Sequence, residues 1–165
     1  MKGATLQNPV RIAKSILDEF SQKRGDSLLK EIVKKYGIKL EPWCCMNEIS
    51  GALIVTKKYV AIGYNSNHPK TRQRFTIAHE IGHYLLGHES GICNTLQNEQ
   101  VFQDNIWQSK NKDYLADIFA AELLMPVDKI NEFIDYGISK KIMAKAFGVS
   151  MDAITLRLKH LKLIA

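Results

Sequence analysis

The sequence predicts an α+β fold that is rich in helices and contains a small three-stranded sheet. Apolar residues recur at helical spacing towards both ends of the chain, whereas short β-rich runs are confined to residues 38–65. The length of 165 residues fits one domain, and we expect that domain to extend over residues 1–165. With 45% hydrophobic and 24% charged residues, the chain can bury a core without disulfide bonds.

Two helices are predicted at the start of the chain. An apolar stripe covers residues 10–20 and directly follows Pro9, a residue that suits the first turn of a helix. A second stripe covers residues 28–36, and Gly37 is placed to end that helix.

Three strands are predicted next, from the runs "IKLEPWC", "ALIVT" and "YVAIGYN", of which the last two form a hairpin. The third run lies just before a helical segment. We interpret it either as an edge strand that can bind an extended peptide or as an ordinary strand inside the sheet. Thr71 follows a polar loop and is predicted to cap the next helix.

The second half of the chain is predicted to be helical after a long loop. A polar stretch from Gly91 to about Lys112 forms that loop. The run "KDYLADIFAAELLMP" then predicts a helix that its final proline stops, and "VDKINEFIDYG" predicts another.

The last predicted element is a helical pair over residues 138–163. Gly148 is placed to end its first helix and Ser150 to cap its second. The segment is basic and has helix-turn-helix spacing, so direct binding to DNA is one interpretation. We favour the other, in which the pair packs on the core and turns a solvated basic face outwards.

The composition indicates in which cellular compartment, and with what kinds of partner, we expect the protein. The three cysteines, Cys44, Cys45 and Cys93, include no C-x-x-C pair, which argues against a disulfide framework and a cysteine zinc site. A reducing cytoplasm is the expected location. We expect no signal peptide and no association with membranes, because no apolar run approaches the roughly 20 residues that span a bilayer. The net charge of +6 permits an acidic partner without requiring one.

The segment "FTIAHEIGHYLLGH" places imidazoles and a carboxylate in an otherwise apolar helical run, where they are costly unless something pairs with them. His79 and His83 are four residues apart and so share one helix face. H-E-x-x-H on a helix is the zincin signature, which predicts these histidines as Zn²⁺ ligands. Glu80 is then the general base that takes a proton from the attacking water. The alternative is a chance match on an amphipathic helix.

A catalytic zinc site needs a third protein ligand. Asp113 and Asp117 share one face of the next predicted helix, and alanines at 116 and 120 allow that helix to come close. One aspartate is expected to bind zinc and the other to accept the far N–H of a ligand histidine. The alternative is an acidic helix start that the helix dipole stabilises.

Two further polar residues near these motifs receive no role in the site. His88 lies nine positions after His79, and Glu122 lies nine positions after Asp113. On continuous helices both would point away from the predicted ligands, and we interpret His88 as a helix-end residue.

Three blocks occur in a characteristic order: "RQRFTIAHEIGHYLLGH", then "DYLADIFAAELLMP", then "AKAFGVSMDAITLRLKHLKLI". Together they resemble the ImmA/IrrE family of zinc metallopeptidases, and the resemblance covers most of the chain. It implies a zincin-like fold, with His79 and His83 as zinc ligands and Glu80 as the catalytic residue. The family's third ligand position, usually a glutamate, falls on Asp113, which leaves Asp117 for the outer hydrogen bond.

The resemblance also implies a function. The implied protein is a cytoplasmic zinc endopeptidase that cleaves an Xre-type helix-turn-helix repressor. The cleavage relieves repression of the genes of a mobile genetic element or a stress response. One alternative is a DNA- or protein-binding regulator whose metal site is structural or vestigial. Another is a component of a toxin–antitoxin pair.

Overall fold

The computed structural model describes residues 8–44, 49–89, 91–93 and 112–164. Its helices are α1 (Pro9–Glu19), α2 (Gly25–Lys35), α3 (Lys70–Leu85), α4 (Lys112–Leu124), α5 (Val127–Asp135), α6 (Lys140–Phe147) and α7 (Met151–His160). Its strands are β1 (Ile38–Trp43), β2 (Gly51–Val55), β3 (Val60–Asn65) and β4 (Gly91–Cys93). The helix-rich α+β class is confirmed. The single domain over residues 1–165 stays a prediction. The predicted loop from Gly91 to about Lys112 is wrong at its start, where Gly91–Cys93 form β4, and the rest of it, residues 94–111, lies outside the described ranges.

The sheet has the strand order β1-β3-β2-β4. The three predicted strands and the β2–β3 hairpin are confirmed, and the short β4 adds a fourth strand that pairs antiparallel with β2. The run "YVAIGYN" is not an edge strand, because β1 pairs in parallel with β3 on the side that the hairpin leaves open. At that pairing the ring of Trp43 covers Gly63, where a Cβ would lie 2.0 Å from the indole. The alternative interpretation, an ordinary strand inside the sheet, is the one that holds.

Two predicted helix boundaries have different outcomes. Helix α3 begins at Lys70 after Pro69, without a side-chain cap, so the predicted Thr71 cap is wrong. The fixed φ of proline, here −53°, already prepares the chain for the helix. The boundary in the C-terminal pair is confirmed. Gly148 ends α6 with a φ of 66°, and the Ser150 hydroxyl accepts the Ala153 N–H at 3.1 Å.

One hydrophobic core connects the helices to the sheet, and α3 lies at its centre. Fully buried side chains come from α2, the sheet, α3, α4, α5 and α7, and they include Leu28, Leu53, Ile62, Ile81, Phe119, Ile130 and Ile154. No helix in the described part of the chain is long and apolar enough to cross a membrane.

A buried ion pair connects the C-terminal helices to α4. Arg157 of α7 donates to Glu122 of α4, and both side chains are 3% exposed. The Nε–H group of Arg157 also donates to the Met125 carbonyl oxygen at 3.2 Å. Burial lowers the pKa of Arg157. Glu122 therefore has a structural partner and lies away from the histidines, as its sequence position predicts.

Candidate metal centre

The residues of the H-E-x-x-H motif lie in the last turns of α3 and are all buried. The exposed fraction is 1% for His79, 1% for Glu80 and 8% for His83. Because His79 and His83 are one helical turn apart, their rings point to the same side. Their Nε2 atoms are 2.9 Å apart, so the two imidazoles converge on one point.

Helix α4 reaches these histidines because it crosses α3 at a glycine. A Cβ added to Gly82 would lie only 2.9 Å from the Phe119 ring. This close approach brings the two aspartates of α4 to different sides of the imidazoles. The Asp113 carboxylate lies 3.2 Å from the Nε2 atom of His83, whereas the Asp117 carboxylate accepts the Nδ1–H of His79 at 2.7 Å.

The donor set fits a divalent metal ion. One ligand atom from each of His79, His83 and Asp113 lies within 4.8 Å of the others. Two neutral imidazoles and one carboxylate form a donor set that suits zinc and related transition metals. Burial lowers the pKa of His83 to about 3, so at neutral pH its ring is uncharged and can offer a lone pair. The residues predicted from the sequence therefore meet in space as a candidate ligand group.

Glu80 faces the first residue of β2. A Cβ added to Gly51 would lie 3.2 Å from the Glu80 Oε1 atom and 2.4 Å from the Thr76 methyl group. The Oε1 atom is buried without a hydrogen-bond partner in the described ranges. Burial raises the pKa of Glu80 to about 7, with His79 opposing and Asp113 adding to the rise. A carboxyl group with such a pKa is suited to taking up and returning a proton near neutral pH.

Sequence reasoning missed His88, whose ring lies against His83. The helix ends at Leu85, and Gly87 adopts a φ of 70°, which reverses the chain. The N–H of His88 then bonds to the His83 carbonyl oxygen at 2.9 Å, and the N–H of Gly87 to that of Tyr84 at 3.1 Å. This Schellman turn brings the Nδ1 atoms of His88 and His83 to 2.8 Å. His88 lies at the helix end, as expected. The expectation that it points away from the ligands was wrong because it assumed a continuous helix, although a glycine after an apolar helix is a recognisable stop signal.

Comparison with known proteins places these residues in a family. Residues 48–159 match the Peptidase M78 family model, described as the IrrE N-terminal-like domain. Metallopeptidase ImmA of Bacillus subtilis (strain 168) is 33% identical over 79 residues, which are 47% of this chain and 43% of that protein.

A solved structure, a Mycobacterium tuberculosis transcriptional regulator, superposes with a TM-score of 0.65 at 16% identity, which is a likeness of fold. The match covers 91% of this chain and 46% of that one. The matches thus span less than half the length of ImmA and of the mycobacterial regulator. Because the family model covers more than half of this sequence, the chain belongs to the Peptidase M78, or ImmA/IrrE, family of metallopeptidases.

Proposed function

We propose that the chain is a zinc-dependent endopeptidase that cleaves a helix-turn-helix repressor of the Xre type. The observation that carries the proposal is the convergence of His79, His83 and Asp113 on one point beside the buried Glu80. Membership of a metallopeptidase family supports the reaction class. The repressor as substrate follows from the resemblance, and so do the cytoplasmic location and the release of mobile-element or stress-response genes.

In this proposal, zinc would be held by His79, His83 and Asp113. Zinc, when bound, polarises the scissile carbonyl and makes a coordinated water more acidic. Asp117 accepts the Nδ1–H of His79 at 2.7 Å, which leaves the lone pair of that ring on Nε2.

Glu80 handles the proton in the proposed reaction. Its carboxylate takes one proton from the attacking water as the water oxygen bonds to the carbonyl carbon. It then passes that proton to the peptide nitrogen as the C–N bond breaks. Water and peptide thereby yield a carboxylic acid and an amine, and Glu80 returns to its starting state.

Direct binding to DNA by the C-terminal pair is the rival proposal. Lys140, Lys141, Lys145 and Lys159 are exposed on α6 and α7, which favours an acidic partner. Arg157, however, is withdrawn into the ion pair with Glu122 and does not reach the surface. Side chains of the pair also belong to the hydrophobic core, including Ile154 and Leu158. We therefore keep packing on the core as the favoured role of residues 138–163.

The test is cleavage of a co-encoded Xre-type repressor by purified, zinc-loaded protein, followed by mass spectrometry of the products. We expect slow cutting at a single position, loss of cutting after chelation, and little activity on casein. Broad hydrolysis of casein, while the repressor stays uncut, would contradict the proposal that the repressor is the substrate. Salt-dependent binding to duplex DNA with a sequence preference, in the absence of any cleavage, would favour the rival.

A further inference from the structure

A cavity of about 230 Å³ opens at the C-terminal end of α4, where α2, α5 and α6 meet. Leu123 and Leu124 are the residues of α4 that line it. Asp113, a proposed metal ligand, lies at the other end of α4, about 15 Å away along the axis at the usual helical rise. The cavity is therefore separate from the proposed reaction centre.

The lining of the cavity is mostly apolar. Leu123 and Leu124 belong to the hydrophobic core and form its floor. Phe133 and Phe147 are only partly buried, and their ring centroids lie 5.3 Å apart. Ala146, which is exposed, adds only a methyl group beside these rings. Apolar surface next to the core thus stays open to solvent, so an apolar group that entered the cavity would be stabilised by burial.

The rim of the cavity is basic. Arg24 is exposed there, and its Nη1 group donates to two backbone carbonyl oxygens that precede α2. No carboxylate in the described ranges forms an ion pair with Arg24. Lys129, also at the rim, is paired with the exposed Glu132 at 2.5 Å. Helix α6 adds three exposed lysines and has no acidic residue: Lys140, Lys141 and Lys145. Charges of this sign attract an acidic surface.

The size of the cavity favours a side chain of a protein over a free small molecule. Pockets for drug-sized ligands usually have about 300–1,000 Å³ and enclose most of the ligand. This cavity is smaller, and exposed residues such as Arg24 and Ala146 line it. Interfaces between proteins depend on a few large side chains that fill pockets, with weaker contacts around them. Size and charge therefore fit an acidic protein segment that inserts one large apolar side chain.

We propose that this cavity is a docking site for the repressor, into which an acidic segment of the repressor inserts one large apolar side chain. The identity of the partner rests on the proposed function, whereas the cavity itself does not depend on the metal ligands. Docking away from the reaction centre holds one partner in place for slow cutting. Proteins without such a segment, such as an unrelated unfolded chain, gain nothing from the cavity and are cut poorly.

Two full-length variants test the docking site. Ala146→Trp fills the cavity from an exposed position of α6, and Arg24→Glu reverses the charge at its rim. Binding of the intact repressor is measured by titration calorimetry with Glu80→Gln present in every protein, so that the repressor stays uncut. We expect Ala146→Trp to bind at least about 30-fold more weakly, the loss typical of removing an anchoring contact. Arg24→Glu should bind about 10-fold more weakly or worse, because like charges then face each other.

Each variant has a matched control outside the cavity. Asn131→Trp adds the same ring to α5, where Asn131 is exposed and lies on the side of the helix opposite Lys129. Arg11→Glu makes the same charge change at an exposed arginine of α1. Both controls should bind the repressor as the parent does. The zinc content of all four variants should equal that of the parent, because none of them changes a proposed ligand.

Kinetics with Glu80 intact separate docking from the chemical step. Ala146→Trp should raise KM for the intact repressor by about 30-fold and leave kcat unchanged, as expected when an interaction common to the ground state and the transition state is lost. A short peptide that contains only the scissile region does not reach the cavity, so Ala146→Trp and the parent should cut it equally. Affinity for the repressor should also fall as salt is added, because salt screens exposed charges.

The outcomes distinguish this inference from the proposed function. Equal affinity of Ala146→Trp and Asn131→Trp for the repressor would overturn the docking site and leave the function intact. Should Ala146→Trp fail to fold, parental affinity in Arg24→Glu would overturn the docking site equally. Affinity that does not change with salt would rule out an acidic segment as the occupant. A repressor that binds at the cavity but is never cut would contradict the proposed function alone, and one that the parent neither binds nor cuts would contradict both.

Discussion

Gly82 of α3 and Ala116 of α4 pack backbone against backbone. A Cβ added to Gly82 would lie 3.2 Å from both the Cα atom and the carbonyl oxygen of Ala116. Asp113 and Asp117 lie within one turn of this crossing on the same helix, so the spacing of the two backbones sets how near their carboxylates come to the histidines.

The first prediction is that Gly82→Ala weakens both the fold and the metal site. The added methyl group must push α4 outwards, and overpacking of this kind costs typically about 1–3 kcal/mol. The displacement moves both aspartates from the imidazoles, so zinc affinity should fall as well. Chemical denaturation and chelator competition measure the two effects.

Ile32→Val in α2 is the control for Gly82→Ala. It deletes one buried methyl group away from the crossing and should cost about 0.5–1.5 kcal/mol. Its zinc affinity should equal that of the parent. If Gly82→Ala binds zinc as tightly as Ile32→Val does, the crossing does not set the position of the aspartates.

The second prediction concerns the proposed general base. Glu80→Gln should keep the fold and bound zinc yet lose at least about 100-fold in the rate of repressor cleavage, because the amide cannot take the proton from water. Single-turnover cleavage and metal analysis give the rate and the zinc content. Glu41→Gln, an exposed glutamate on β1, is the matched control and should cut at the parental rate. A Glu80→Gln variant that cuts as fast as the parent would rule out this base.

The third prediction separates the two aspartates of α4. Asp113→Ala should lose most of the zinc affinity, since it removes one of three proposed ligands. Asp117→Ala should cost about 10- to 100-fold in affinity or activity, because it removes only the partner of the His79 Nδ1–H. Asp113→Glu should be tolerated, since the resemblance implies a glutamate at this ligand position.

Metal analysis of these aspartate variants can also show that the third ligand lies elsewhere. Full zinc occupancy in Asp113→Ala, with occupancy lost on substitution of Glu99 or Glu122, would mean that the ligand position is misassigned. Glu122 is engaged by Arg157, and Glu99 lies outside the described residues.

The fourth prediction concerns the buried ion pair of α4 and α7. Arg157→Met should destabilise the protein by about 3–5 kcal/mol, because it leaves the Glu122 carboxylate buried without its cation. The double variant Arg157→Met/Glu122→Gln should recover much of that loss, since no charge is then buried. Lys129→Met breaks an exposed pair with Glu132 and should cost less than about 1 kcal/mol. Equal losses in Arg157→Met and Lys129→Met, measured by denaturant unfolding, would contradict a dominant role for burial.

Local patterns predicted most of the elements and the helix face that each candidate pair shares, because these depend on residues close in the chain. The four-residue spacing of His79 and His83 places both rings on one side of a helix, and Asp113 and Asp117 follow the same rule. Small residues on α4 indicated the close crossing, although its exact contact with Gly82 depends on two helices distant in sequence. Ser150 was readable as a cap because a hydroxyl before an apolar run has a local partner.

The predictions that were wrong concern contacts or backbone turns that the local periodicity of the sequence does not encode. The central position of β3 arises from its parallel pairing with β1, which no run of residues encodes by itself. His88 was misplaced because a single left-handed residue, Gly87, changes the direction of every side chain after it. Thr71 lost its predicted capping role to Pro69, whose backbone angle already suits the helix start.

The strand order also bears on how the chain assembles. β2 and β3 are joined by a short turn and can pair from local contacts, whereas β1 has to close a longer loop before it reaches the far side of β3. Until β1 pairs with it, β3 has an open edge, and most of its residues are ones that become buried in the folded protein. Such an edge can pair with a strand from another copy of the chain. Synthesis from the N-terminus reduces this hazard, because β1 leaves the ribosome before the hairpin that it joins. A circular permutation that moved β1 behind β3 in the sequence would lengthen the time for which the edge of β3 is unpaired during folding. Such a variant should therefore aggregate more.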